Sequence, residues 1–182
     1  MDEFTQNLYT NLGSTDDQVR LDAVNQLLSQ TEKQVSWAYD VWDDLLARLD
    51  HPNSYQRTIA IMMLCSLAKS DPERKMDQSI GKLLAHTKDE KFVTSRKCIQ
   101  NIWKVALASP GLREQIVEHL DARFRECVTE KHPNLLRADI IQSIRNIYDH
   151  QSDAGLLELG RSLIELEKEA KHRKKYEAIL SA

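Results

Sequence analysis

The feature that most constrains this chain is a set of four arginines, Arg20, Arg57, Arg96 and Arg137, at intervals of 37, 39 and 41 residues. Three residues after each comes Ala23, Ala60, Ile99 or Ile140, and seven after each comes Leu27, Leu64, Trp103 or Ile144. One recurring arginine carries little information. Aligned columns in four copies define an internal repeat, and a period of about 40 residues built from two helical patterns predicts a helical solenoid. A single helix pair cannot bury its apolar face alone, so it must stack on the next.

The apolar spacing fills in the pairs. Phe4, Leu8 and Leu12 form one stripe that ends at Gly13, placed as the residue after a helix C-terminus. Ser14, Thr15 and Asp16 offer caps for a second helix with Val19, Ala23, Val24, Leu27 and Leu28 at helical period. From Gln34 the stripe is Ala38, Val41, Trp42, Leu45, Leu46 and Leu49, broken at Asp50-His51-Pro52-Asn53. The partner run Ile59–Cys65 is apolar on every side, which predicts a helix covered all round. Asp71-Pro72-Glu73 and Ser109-Pro110 read as a cap followed by proline in the first turn, and Pro52 and Pro133 also fall at expected helix starts. Gly81 suggests a close helix approach. The repeats are 3–31, 34–70, 72–108 and 110–150. One amphipathic capping helix over 153–180, with Leu156, Leu159, Leu163, Leu166 and Ala170 on its face, completes a single all-α domain spanning 1–182.

Charge and length narrow the function classes. A net charge of −3 gives no bulk attraction to nucleic acid or anionic membrane. The longest apolar run has seven residues against the roughly 20 needed to span a bilayer. The acidic start MDEFTQNLYT is unlike a secretory leader. Cys65, Cys98 and Cys127 are odd in number and set in apolar helical patterns, which suits buried thiols in a reducing compartment, so a cytoplasmic location is expected.

The run Asp16-Asp17-Gln18-Val19-Arg20-Leu21-Asp22-Ala23, and more loosely Asp50 through Arg57 to Ala60, resembles the second-helix pattern of HEAT-repeat (armadillo-like) proteins. Arg96 and Arg137 keep the arginine, while Ile99 and Ile140 replace the small residue. The resemblance covers about residues 3–149 and implies an armadillo-like α-α superhelix of about four helix pairs plus the capping helix. It also implies a hydrogen-bonded ladder between the arginines Arg20, Arg57, Arg96 and Arg137 and the turn acids Asp50, Asp89 and Glu130. Gly13 stands in the acid column of the first repeat. The second helices would line the concave, partner-binding face.

Several residues then compete for a functional role. The arginine row has the spacing of a phosphate-binding strip, but the turn acids beside it favour the ladder. Lys97, Lys104 and Arg145 form a basic strip that Asp22, Asp139 and Asp149 on the same helices dilute. Trp42 and Trp103 occupy core columns, whereas Trp37 lies off the stripe and is expected to be accessible. Some HEAT-like DNA glycosylases use concave aromatics, yet this chain has no basic surplus to hold DNA. Met62 interrupts a polar column of Asn25, Asn101 and Gln142, with Ile59 and Met63 beside it, as an adaptable apolar contact would. The six histidines show no ligand spacing, and no nucleophile, metal or nucleotide motif occurs. The expectation is a non-enzymatic, cofactor-free protein- or peptide-binding module using Trp37, Ile59, Met62, Met63, Lys97, Lys104 and Arg145. A nucleic-acid-binding or DNA-repair-related HEAT-like protein, and a homo-oligomer assembled through 153–180, are the alternatives.

Overall fold

The computed structural model describes residues 1–182, and every regular element in it is a helix. The α-helices are α1 (Glu3–Asn11), α2 (Asp17–Gln30), α3 (Ala38–Arg48), α4 (Ser54–Leu67), α5 (Lys75–Ala85), α6 (Phe92–Asn101), α7 (Trp103–Ala106), α8 (Pro110–Glu126), α9 (Pro133–Gln151), α10 (Ala154–Glu165) and α11 (Ala170–Ser181). Two compact units, Met1–Cys98 and Ile99–Ala182, divide within α6. None of the helices is long and apolar enough to cross a membrane.

Short polar side chains start the helices. Asp16 Oδ1 accepts from Gln18 N at 2.9 Å and Val19 N at 3.1 Å, and Asn53 Oδ1 accepts from Tyr55 N at 2.9 Å. Ser109 Oγ accepts from Leu112 N at 3.2 Å, with Pro110 in the first turn, and Asp153 Oδ1 accepts from Gly155 N at 3.0 Å. Each cap is worth about 1 kcal/mol.

The prolines divide. Pro110 and Pro133 open helices as expected, but Pro52 lies in the turn ahead of the cap Asn53. Pro72 also lies outside its helix. The Tyr39 hydroxyl donates to Asp71 Oδ1 at 2.6 Å and accepts from Glu73 N at 2.7 Å, tying this turn to α3. Asp71 then caps from a distance, accepting from Lys75 N at 2.9 Å and Met76 N at 2.8 Å, while Arg74 takes a left-handed φ of 58°. Gly13 does not take a left-handed cap conformation. The chain leaves α1 by tightening, with Leu12, Gly13 and Ser14 N–H groups bonded to Tyr9, Thr10 and Asn11 carbonyls. Nor does Gly81 serve close packing, since it is exposed with nothing within 4 Å of a built Cβ.

The first unit is centred on α4. Ile59, Ala60, Ile61, Met63, Leu64, Cys65 and Leu67 are all buried, as the run of apolar residues predicted. Trp42 fills the same core at 0% exposure, although its indole N–H has no acceptor, a loss on the order of 1–3 kcal/mol. In the second unit α9 takes that place, with Leu136, Ile140, Ile141, Ile144 and Ile147 at 0% exposure.

Two arginines join turns to helices within their own units. Arg57 donates Nη1 to the His51 and Pro52 carbonyls at 2.9 and 3.1 Å, and Nε and Nη2 to the two oxygens of Asp89, both at 2.8 Å. Arg137 donates Nε to Phe124 O at 3.1 Å and Nη1 to Glu167 Oε2 at 2.9 Å, its guanidinium 4.5 Å from the Phe124 ring centroid. The other expected rungs differ. Arg20 bonds Ser14 O and Asp17, Asp50 pairs with Lys82 at 2.8 Å, and Glu130 receives both of its bonds from Arg123. Arg20 thus stays with its own turn and helix, while Asp50, the acid at the corresponding spacing, is taken by Lys82. Arg96 places its guanidinium 5.8 Å from the Phe92 ring centroid.

The segment expected as one capping helix is two. Glu167 turns inward to Arg137, its Oε1 accepts from Glu169 N at 3.1 Å, and Arg173 Nη2 donates to its carbonyl at 2.7 Å. The bend lets α10 and α11 fold on each other around Gly160, where a Cβ would lie 2.7 Å from Leu180 Cδ1.

Three outcomes follow. Gly160→Leu loses about 1–3 kcal/mol by overpacking, whereas Gly81→Ala gains up to about 1 kcal/mol from helix propensity; chemical denaturation measures both. Burial pushes the Asp89 carboxyl up, but Arg57, the Lys91 N–H and His86 outweigh it and bring the pKa down to about 2. A lowered carboxyl pKa stabilises above the unfolded value, and that stability is lost as pH falls from about 4 through 2. Asp89→Asn removes this part of the pH slope and costs roughly 3 kcal/mol at neutral pH, because the buried Arg57 keeps only the exposed Glu90 at 3.4 Å as a counter-charge.

Candidate functional site

Trp103, the one tryptophan of the second unit, begins α7 directly after Ile102, and its column holds Leu27, Leu64 and Ile144, all fully buried. Trp103 is half-buried, although its column placed it in the core. Its ring stacks on the exposed imidazole of His150 at 5.2 Å between centroids, tilted by 34°. With the Asn146 amide oxygen turned to the indole, Trp103 Nε1 donates to it at 3.2 Å, and the Asn146 nitrogen donates to Gln142 O at 3.2 Å. His150 Nδ1 donates to Asn146 O at 2.8 Å, which leaves Nε2 of the neutral ring as an outward acceptor.

Amides and paired charges surround this stack. Lys104 Nζ donates to Asn101 Oδ1 at 3.1 Å, and Gln100 Nε2 donates to Asp139 Oδ1 at 3.0 Å. Arg145 donates Nε to Asp149 at 2.7 Å and Nη1 to Leu180 O at 2.7 Å, near the C-terminus of α11 where the helix dipole favours a cation. Arg145 therefore clasps α11 to α9 and offers no unneutralised charge. Lys97 is half-buried and belongs to the first unit.

The other expected contacts are mostly core. Trp37 is 7% exposed. The loop around it is pinned by Gln34 Nε2 to Lys69 O at 2.9 Å, Val35 N to Ser70 Oγ at 3.0 Å and Lys69 Nζ to Glu32 O at 3.0 Å. Off-stripe position did not mean exposure, because a connecting loop covers the residue. Ile59 and Met63 are buried at 6% and 0% exposure, so neither presents a surface; Met62 is half-buried.

One feature of the first unit had no signal in the sequence. The turns Gly13–Thr15 and His51–Tyr55 bound an open recess of about 700 Å³. Its charges cancel internally, Arg20 with Asp17 and Arg48 with Asp44 at 2.7 Å, and Tyr55 lies exposed under Arg20 at 5.4 Å.

No family model matches the chain, and no curated protein matches it. Two engineered proteins whose crystal structures come from the Northeast Structural Genomics Consortium are similar in fold. One has a TM-score of 0.51 at 15% identity, covering 99% of this chain and 80% of its own. The other has a TM-score of 0.49 at 15% identity, covering 100% and 98%. The first likeness supports the all-helical fold.

The accessibility of the three tryptophans is measurable. With the other two replaced by Phe, Trp103 fluorescence is quenched by acrylamide several-fold more strongly than Trp42 or Trp37 fluorescence. Equal quenching of all three would remove Trp103 from the surface.

Proposed function

We propose that the chain is a HEAT-like helical-repeat module that binds an extended protein segment, without catalysis, through the α7–α9 face around Trp103. The observation that carries this reading is the half-buried Trp103 stacked on His150 and bordered by the amides of Gln142 and Asn146. An extended backbone displays both N–H and C=O groups, and a carboxamide answers both. A flat indole adds apolar area at small entropic cost, and tryptophan is enriched where interfaces concentrate their energy. The HEAT-like architecture is supported by the arginine columns and by the Arg57–Asp89 and Arg137–Glu167 pairs. Three buried free thiols suit a reducing, cytoplasmic setting.

The test is selection of binding peptides from a random library on the full chain, followed by affinity measurement on variants. Trp103→Ala lowers affinity about 10- to 100-fold, the loss of a central anchor, while circular dichroism keeps its helical signal. Peptides that bind Trp103→Ala as tightly as the parent would place the binding face elsewhere.

A further inference from the structure

Six acids and six bases cancel between residues 153 and 182, yet five of the six bases fall within residues 168–175. Residues 168–175 hold Lys168, Lys171, Arg173, Lys174 and Lys175 against one acid, Glu169, which faces His172 at 3.6 Å. Tyr176 and Leu180 point inward at 0% and 6% exposure and fix the orientation of α11. That orientation leaves Lys171, Lys174 and Lys175 on the solvent side with Lys168 in the preceding turn, all exposed. Arg173 is used on the Glu167 carbonyl, but none of the four lysines makes an ion pair or a hydrogen bond. Glu165 and Glu177 flank the patch without pairing to it.

The arrangement is electrostatically unfavourable in the protein alone. Lys171 is three and four residues from Lys174 and Lys175, so like charges are neighbours on the helix surface. They also occupy the first turns of α11, where the backbone dipole is positive and the one acid at the helix start, the N-cap Glu169, faces His172. Several basic groups elsewhere find acids: Lys75 with Asp43, Lys82 with Asp50, Arg123 with Glu130 and Arg125 with Asp121. Beside the lysines, Leu166 is 42% exposed at the turn between α10 and α11.

We propose that this lysine face of α11, with Leu166 at its edge, docks an acidic protein segment that carries an apolar residue among its carboxylates. Charge complementarity selects an anionic partner. The adjoining leucine and the absence of an exposed aromatic ring in the patch favour a peptide over a nucleic acid. This surface is distinct from the Trp103 face and is independent of that reading.

The experiment titrates the full chain with a labelled peptide of about a dozen residues in which Glu and Asp alternate with Leu, and with an oligothymidylate of equal length. The peptide binds saturably, one to one, more weakly as salt rises, and at least tenfold more weakly to the combined Lys171→Glu, Lys174→Glu, Lys175→Glu variant. The matching Lys→Arg variant retains binding, Leu166→Ala weakens it, and Trp103→Ala leaves it unchanged. The proposal is overturned by no binding, by binding indifferent to charge reversal, or by equal or tighter binding of the oligothymidylate. A concentration-dependent rise in mass without peptide, abolished by the Lys→Glu variant, would overturn it in favour of a second copy of the chain.

Discussion

The buried guanidinium of Arg57 is the interaction on which the order of the first unit depends. Its planar fork reaches carbonyls of its own turn on one side and both oxygens of Asp89, 32 residues later, on the other. A buried ion pair gains little net stability over apolar packing, because both groups are desolvated. Its contribution here is registration. The donors of Arg57 are satisfied only when the two turns lie at one separation, so the helices leaving those turns are held in step. Removing either partner strands a charge in a dry setting, which is why the arrangement tolerates so little change.

The second unit uses the same chemistry to a different end. Arg137 draws in Glu167, and Glu167 in turn organises the bend between α10 and α11 through its carboxylate and its carbonyl. The Tyr176 hydroxyl closes the group on Asn134 O at 3.1 Å. The bend exposes the lysines of α11 while it buries Tyr176 and Leu180, so one internal pair decides which side of the last helix faces solvent. Arg145 then secures the far end of that helix through the Leu180 carbonyl.

Candidate sites were less legible than helices, and the tryptophans show why. Periodicity assigned Trp103 to the core and left Trp37 accessible, whereas Trp103 is half-buried and Trp37 buried. The interruption at Ile102 is one residue long and has no proline or glycine to announce it, and Trp103 directly after it is half-buried. Trp37 is covered by a loop whose path depends on side-chain and backbone bonds to residues 69 and 70, a dependence that no local pattern records. Glu167 had a sequence signal that went unread. With Asp50, Asp89 and Glu130 it continues the acid column at intervals of 39, 41 and 37 residues.

The sequence by itself determined the helices, their approximate limits, most of their caps and the apolar faces they bury. These follow from a 3.6-residue period and from short polar side chains bonding to backbone within a few residues. It also carried the two arginine–carboxylate rungs, because both partners recur at the repeat interval. Only the tertiary structure decided which rungs form, where the last helix divides, which tryptophan is reachable and which lysines lack a counter-charge. Those outcomes turn on distances between groups 30 or more residues apart, and such distances are set by how the helices pack.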